Sequence, residues 1–225
     1  MFRKLSVLLV LVFIISTITG CATFRSELDG VYDQATIKNT DSGKVKVLFI
    51  LRHVRQAEGL DAIPKLDRQN QIIRDFDDLF LDAIKEFSNI ESYDTYVEYS
   101  SDVHDPDRRA RKKQLINRND FIIEYTYERK YSFVNRSLGT TFSVLTLTLI
   151  PIPSSVQYTF NANVLNNDEE LIKSFTRTAT LKTWTQMFLI FAQPFHNEDT
   201  KKEQVYIEAM HDIFRQIETE KILSK

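Results

Sequence analysis

Seven residues, Val45-Lys46-Val47-Leu48-Phe49-Ile50-Leu51, form a nearly unbroken apolar and β-branched run. Such a run reads as a β-strand buried on both faces, central in its sheet, because a strand with one wet face alternates instead. A strand of this kind requires a covering layer on each side. The next periodic segment supplies one: from Asp67 onward Ile72, Ile73, Phe76, Leu79, Phe80, Ala83, Ile84 and Phe87 recur at three- and four-residue spacing, an amphipathic helix with Asp67 as N-cap. Tyr93, Thr95, Val97 and Tyr99 then alternate as a second strand, so the opening is a right-handed parallel β-α-β unit.

Asp105-Pro106 fits an N-cap followed by proline at the first helical position, opening a short basic helix through Arg108, Arg109, Arg111, Lys112 and Lys113 with a thin apolar face. The period then falls to two. Phe121, Ile123, Tyr125 and Tyr127 share one face, and strands are expected at about 140–150, 156–165 and 170–183, separated by Pro151-Ile152-Pro153-Ser154 and Asn166-Asn167-Asp168. A final helix starts near Thr200, where Thr200-Lys201-Lys202-Glu203 makes a capping box, with Tyr206, Met210, Ile213, Phe214 and Ile217 as its apolar stripe. The expected fold is α/β (α+β): a β-α-β-α start, an antiparallel meander and a C-terminal amphipathic helix packed on one mixed sheet.

The N-terminus is of a different kind. Arg3 and Lys4 precede an apolar run from Leu5 to Ile18, too short for a comfortable membrane span and suited to an export signal. Ile18-Thr19-Gly20-Cys21 resembles the bacterial lipobox, whose cysteine is acylated through a thioether and becomes the first mature residue. The resemblance implies lipidation of Cys21, the only cysteine, and a membrane as partner without a spanning helix. Ala22 after the cysteine implies the outer membrane, periplasm-facing, in a cell with two membranes. The expected organisation is a signal peptide at 1–20, lipidated cysteine and tether at 21–44, and one globular domain at 45–225. Without Arg3 and Lys4 the remaining balance is 27 basic to 31 acidic residues, a net charge of −4, which speaks against a nucleic-acid partner.

Candidate chemistry is sparse. Arg52-His53, with Arg55 two residues on, follows the buried run and resembles the Arg-His-Gly motif of histidine phosphatases, in which the histidine at a strand's end accepts the phosphoryl group. Val54 stands in place of the family's glycine. His211-Asp212, a possible second motif, falls inside the terminal helix. Asp102, His104, Asp105 and Asp107 match no defined metal cage, so no metal is expected, and no cofactor motif is present. The absent motifs make an enzyme the less favoured reading without excluding one.

The most unusual segment is Trp184 to Phe195, uncharged and containing Met187, Phe188, Leu189, Ile190 and Phe191. It is either buried in the core or an exposed contact for a membrane or a partner. Leu145, Leu147, Leu149, Ile150 and Ile152 form a second apolar tip, and the two tips are placed together at one end of the meander. With the lipobox, the element order over 45–222 resembles envelope lipoproteins with an anticodon-binding-domain-like fold: penicillin-binding-protein activators, the curli secretion lipoprotein and exopolysaccharide-export ring lipoproteins. That resemblance implies a non-catalytic interaction or assembly component of the cell envelope, self-associating or bound to an envelope protein. The alternatives are an envelope phosphoryl hydrolase using His53 and a carrier of an apolar ligand between sheet and terminal helix.

Overall fold

The computed structural model describes residues 20–35, 37–39, 43–66, 76–145, 150–186, 189 and 196–224. One mixed sheet of seven strands organises them. The strands are β1 (Gly20–Arg25), β2 (Val45–Glu58), β3 (Lys65–Leu66), β4 (Ile90–Glu98), β5 (Phe121–Ser132), β6 (Ile152–Asn166) and β7 (Leu171–Gln186). The helices are α1 (Phe76–Ile84), α2 (Pro106–Arg118), α3 (Phe133–Leu145) and α4 (Glu198–Thr219).

The order is β1-β7-β6-β5-β2-β3, with β4 paired to β2 as well. β2 is parallel to both β4 and β5, and from β5 outward every pairing is antiparallel. The fold is α+β, one mixed sheet with a C-terminal helix. The parallel half follows from the two helical crossovers, since parallel neighbours cannot be joined by a tight turn.

Alternation along β2 sends Val47, Phe49 and Leu51 to one face and Leu48 and Ile50 to the other, all buried. The first face meets α1 and α4 through Phe80, Ala83, Tyr206, Met210, Ile213 and Phe214. The second meets α2, where Leu115 and Ile116 join Leu48, Ile50, Tyr96 and Ile122. Two residues therefore suffice for the thin apolar face of the basic helix to close the second layer. Asp105 caps it, accepting from Asp107 N at 3.0 Å and Arg108 N at 3.1 Å, with Pro106 at its start.

Three expectations change. Residues 133–145, placed partly in a strand over 140–150, are helical, β6 is longer than expected at both ends, and β7 runs on to Gln186. The terminal helix starts at Glu198, capped by Asn197, whose side chain accepts from Asp199 N at 2.8 Å; the capping box at Thr200 lies inside the helix. The beginning of the stretch expected as a tether is part of the sheet: β1, ending at Arg25, pairs with β7, Ala22 and Thr23 are buried, and Leu28 joins the main core. Small side chains at 22 and 23 let this short strand dock as an edge. The expected N-cap Asp67 and the start of its helix lie outside the described residues.

Candidate functional site

Cys21 stands on β1 with its thiol exposed. Its strand partner is Thr185, with Sγ 3.5 Å from Thr185 Oγ1, and Thr185 is in turn the partner of Ile152 on β6. One row across three strands thus carries Cys21, Thr185 and Ile152, and the adjacent row carries Ala22, Trp184 and Pro153. The described ends of both apolar segments, Ile152 and Trp184-Thr185, lie at the same end of the sheet, beside Cys21. Trp184 is half-buried under Lys182, whose Nζ lies 4.9 Å from the ring centroid. Leu189 is half-buried, whereas Met187, Phe188, Ile190 and Phe191 lie outside the described residues. Behind Cys21, Thr23 is fixed on both sides: its Oγ1 is 2.8 Å from Thr183 Oγ1, and its N donates to His196 O at 2.8 Å.

Arg52 and His53 do not converge, whereas Arg55 returns to the face of His53. β2 runs on through them to Glu58, so neighbouring side chains leave on opposite faces. Arg52 lies on the α2 side, donating to Glu124 at 2.7 and 2.8 Å and to Glu98 at 3.2 Å, while Lys112 holds Glu98 at 2.7 Å. Burial opposes charge on Glu98, yet Lys112 and Arg52 keep its carboxyl below the usual range. His53 lies on the other side, its ring edge-on to Phe76, Tyr127 and Tyr206. Burial pushes its imidazole down to about 4, and Nε2 is buried with no hydrogen-bond partner. Arg55 is exposed. A phosphate needs its nucleophile and its cations on one side, so Arg52 does not serve His53 in the way the phosphatase motif requires. His211, the second motif's histidine, sits on α4 beside Asp82 and Glu86, 3.4 and 2.9 Å away.

Two of the acidic candidates for metal ligation have structural partners. Asp102 accepts from Tyr96 Oη at 2.7 Å and Arg108 Nε at 2.5 Å, and Asp105 caps α2. Burial, followed by the Asp102 hydrogen bond, pushes the Tyr96 phenol up to about 12. Among the described residues no group of three or more His, Cys, Asp or Glu side chains could hold a metal ion.

Two polar features had not been singled out from sequence. Arg177 on β7 and Asp212 on α4 form a buried ion pair with Nε 2.6 Å from Oδ2. Tyr125 and Tyr206 place phenol oxygens in the main core with no hydrogen-bond partner, and burial pushes both phenols up. Tyr206 packs edge-on against His53, Phe76, Tyr125 and Phe160, filling the space between sheet and α4 where an apolar ligand was an alternative expectation. A groove of about 750 Å³ opens instead beside α3, lined by Lys130, Asn135, Gln157, Thr180 and Lys182 among others. Lys130 already lies 3.1 Å from Glu58.

No protein-family model matches the sequence, and no curated protein matches it. Among solved structures, the chain is similar to a dodecamer of PelC from Paraburkholderia phytofirmans, at 7% identity over 88% of this chain and 99% of that one. It is also similar to the dodecamer of a single-residue PelC variant from the same organism, at 8% identity over 87% and 98% of the two chains, with a TM-score of 0.31. The first match has the same TM-score, 0.31. Similarity of this order carries nothing about fold or function to this chain.

Proposed function

We propose that the protein is a bacterial membrane lipoprotein, acylated at Cys21, that serves as a non-catalytic interaction or assembly component of the cell envelope. The observation that supports this reading most is the row Cys21–Thr185–Ile152: the one thiol is exposed, and it stands beside the roots of both uncharged apolar segments. Cleavage before Cys21 leaves β1 paired from Cys21 to Arg25, so acylation and the fold are compatible. Ala22 at the next position favours the outer membrane, periplasm-facing. The partner is an envelope protein or further copies of the chain; Arg52 and His53, which suggested hydrolysis, face opposite sides of β2.

The test is an intact mass measurement on the detergent-extracted protein from a bacterium with two membranes. The expected mass is that of a chain beginning at Cys21 with a diacylglyceryl thioether, lost in Cys21→Ser. A chain that keeps residues 1–20, or an unmodified Cys21 in the membrane fraction, overturns the proposal.

A further inference from the structure

The end of the sheet that carries Cys21 gathers exposed apolar side chains from elements far apart in sequence. Gly139 on α3 sits so close to β6 that a Cβ there would stand 3.1 Å from Ile152 Cγ2. At Gly59 a Cβ would stand 3.4 Å from Val134 Cγ2, which sets the loop after β2 against the first turn of α3. A continuous path therefore runs from loop 59–64 through α3 and Ile152 to Thr185 and Cys21. Along it Leu60 is 65% exposed, Ile63 69%, Phe133 40%, Val134 50% and Ile150 57%.

The charges on the β2 and β5 side of this end are paired, Asp61 with Lys65 and Glu58 with Lys130, and the β1, β6 and β7 side is uncharged. The sequence is uncharged from Leu5 to Phe24, from Ser137 to Asn167 and from Thr183 to Phe195, although 27% of all residues are charged. All three stretches attach here, through β1, through the link from α3 to β6, and through the end of β7. Passing from this end into the domain, the first charge on β1 is Arg25 and on β7 is Lys182, in adjacent rows. Lys182 over Trp184 pairs a cation with an amphipathic ring, a combination favoured at the boundary between acyl chains and headgroups. An apolar end bordered on β1 and β7 by basic residues complements a bilayer with anionic headgroups, and the anchor proposed at Cys21 brings that bilayer, rather than a second copy of the chain, to this end.

We infer that this end of the sheet is a lipid-contacting rim, in which Leu60, Ile63, Phe133, Val134 and Ile150 enter the interfacial region of a bilayer next to Cys21. The inference rests on the membrane anchoring proposed above and extends it. Because β1 begins at the anchor with no spacer, the anchor holds the rim at the membrane and fixes the orientation of the sheet. Cys21 and Ile152 are two strand spacings apart, about 10 Å, so the rim and the anchor meet one lipid surface.

The experiment uses the full-length protein, extracted in detergent and reconstituted into phosphatidylethanolamine–phosphatidylglycerol vesicles with acyl chains brominated at shallow carbons. In a Trp184→Phe background, Leu60→Trp, Val134→Trp and Ile150→Trp report on the rim, and Leu171→Trp on the β6–β7 turn at the far end. All four positions are exposed and tolerate a larger side chain. The expected result is roughly twofold or greater quenching at the rim positions and none at 171. Native Trp184 in the unsubstituted protein gives a parallel reading should a variant misfold. Absence of quenching at the rim with Cys21 shown by mass to be acylated overturns the rim and leaves the anchor standing. Rim fluorescence that answers to protein concentration and not to bromine marks a subunit interface and also overturns it. If Cys21 is unmodified the anchor fails, and the same reading still decides the rim: quenching of the vesicle-bound chain supports it, and failure to bind vesicles removes it.

Discussion

Arg177 and Asp212 join the sheet to the terminal helix through an ion pair with each side chain only 5% and 4% exposed. Asp212 is the busier partner. It also binds Arg215 at 2.5 Å and accepts from Tyr32 N at 3.1 Å, so it ties α4, β7 and the segment after β1 together. Removing it leaves Arg177 buried beside Arg215 without a counter-charge. Asp212→Ala should cost about 3–5 kcal/mol in urea unfolding. Arg177→Met should cost less, because Asp212 keeps Arg215, and Arg177→Met with Asp212→Leu should recover part of the loss. An Asp212→Ala midpoint equal to the unsubstituted protein's would show that the pair does not hold the layers.

Much of the architecture is legible in the sequence for simple reasons. Val45–Leu51 is apolar on both sides because β2 has a layer on each face, and the stripe through Phe214 marks the face of α4 that meets it. The pair Arg177–Asp212 left a trace too: Arg177 takes an inward place in the alternation Phe175, Arg177, Ala179, Leu181, and Asp212 interrupts an apolar stripe. Two inward charges of opposite sign on different elements are a signal to pair them. Other parts were hidden. Helix α3 reads like a strand because Thr and Leu alternate near its end, and its close contact at Gly139 with Ile152 is tertiary. Strand β1 is masked in the sequence by the apolar run from Leu5 to Ile18 that precedes it. The continuation of alternation through Val54, Arg55 and Ala57 was the available warning that Arg52 and His53 face opposite ways.

His53 should make the fold acid-sensitive. Its imidazole titrates at about 4 in the folded protein against 6.5 when unperturbed. Between those values the unfolded chain carries the additional proton, so the contribution is complete above about pH 6.5 and is lost as pH falls toward 4, by roughly 3 kcal/mol in all. His53→Phe removes this titration and suits the ring contacts with Phe76, Tyr127 and Tyr206. Unfolding free energies measured at pH 7 and 4.5 should therefore converge for His53→Phe relative to the parent. Parallel pH profiles for the two proteins would count against a buried neutral His53.

Arg52 is expected to matter for stability and not for hydrolysis. Arg52→Ala leaves Glu124 and Glu98 facing each other with Lys112 alone, a loss of about 1.5–3 kcal/mol from charge-assisted hydrogen bonds. Neither Arg52→Ala nor His53→Ala should change the background release of nitrophenol from a generic phosphomonoester. A hydrolytic rate that disappears with His53→Ala would overturn the non-catalytic reading.

The backbone after Cys21 gives the last prediction. A tether would exchange its amide hydrogens at unprotected rates, but Thr23 N donates to His196 O and Ser26 N to Thr180 O, each at 2.8 Å. Both amides should exchange at least about a hundredfold more slowly than an unstructured peptide, with protection close to that of β7. Thr23→Val retains the shape of the buried side chain but removes its hydroxyl contact with Thr183, leaving that group a poorer set of partners. It should cost about 1 kcal/mol and reduce the protection of residues 22–25 ahead of the rest of the sheet. Unprotected exchange at 23 and 26 in the unsubstituted protein would return this stretch to a tether, and with it would go the fixed distance between Cys21 and the sheet.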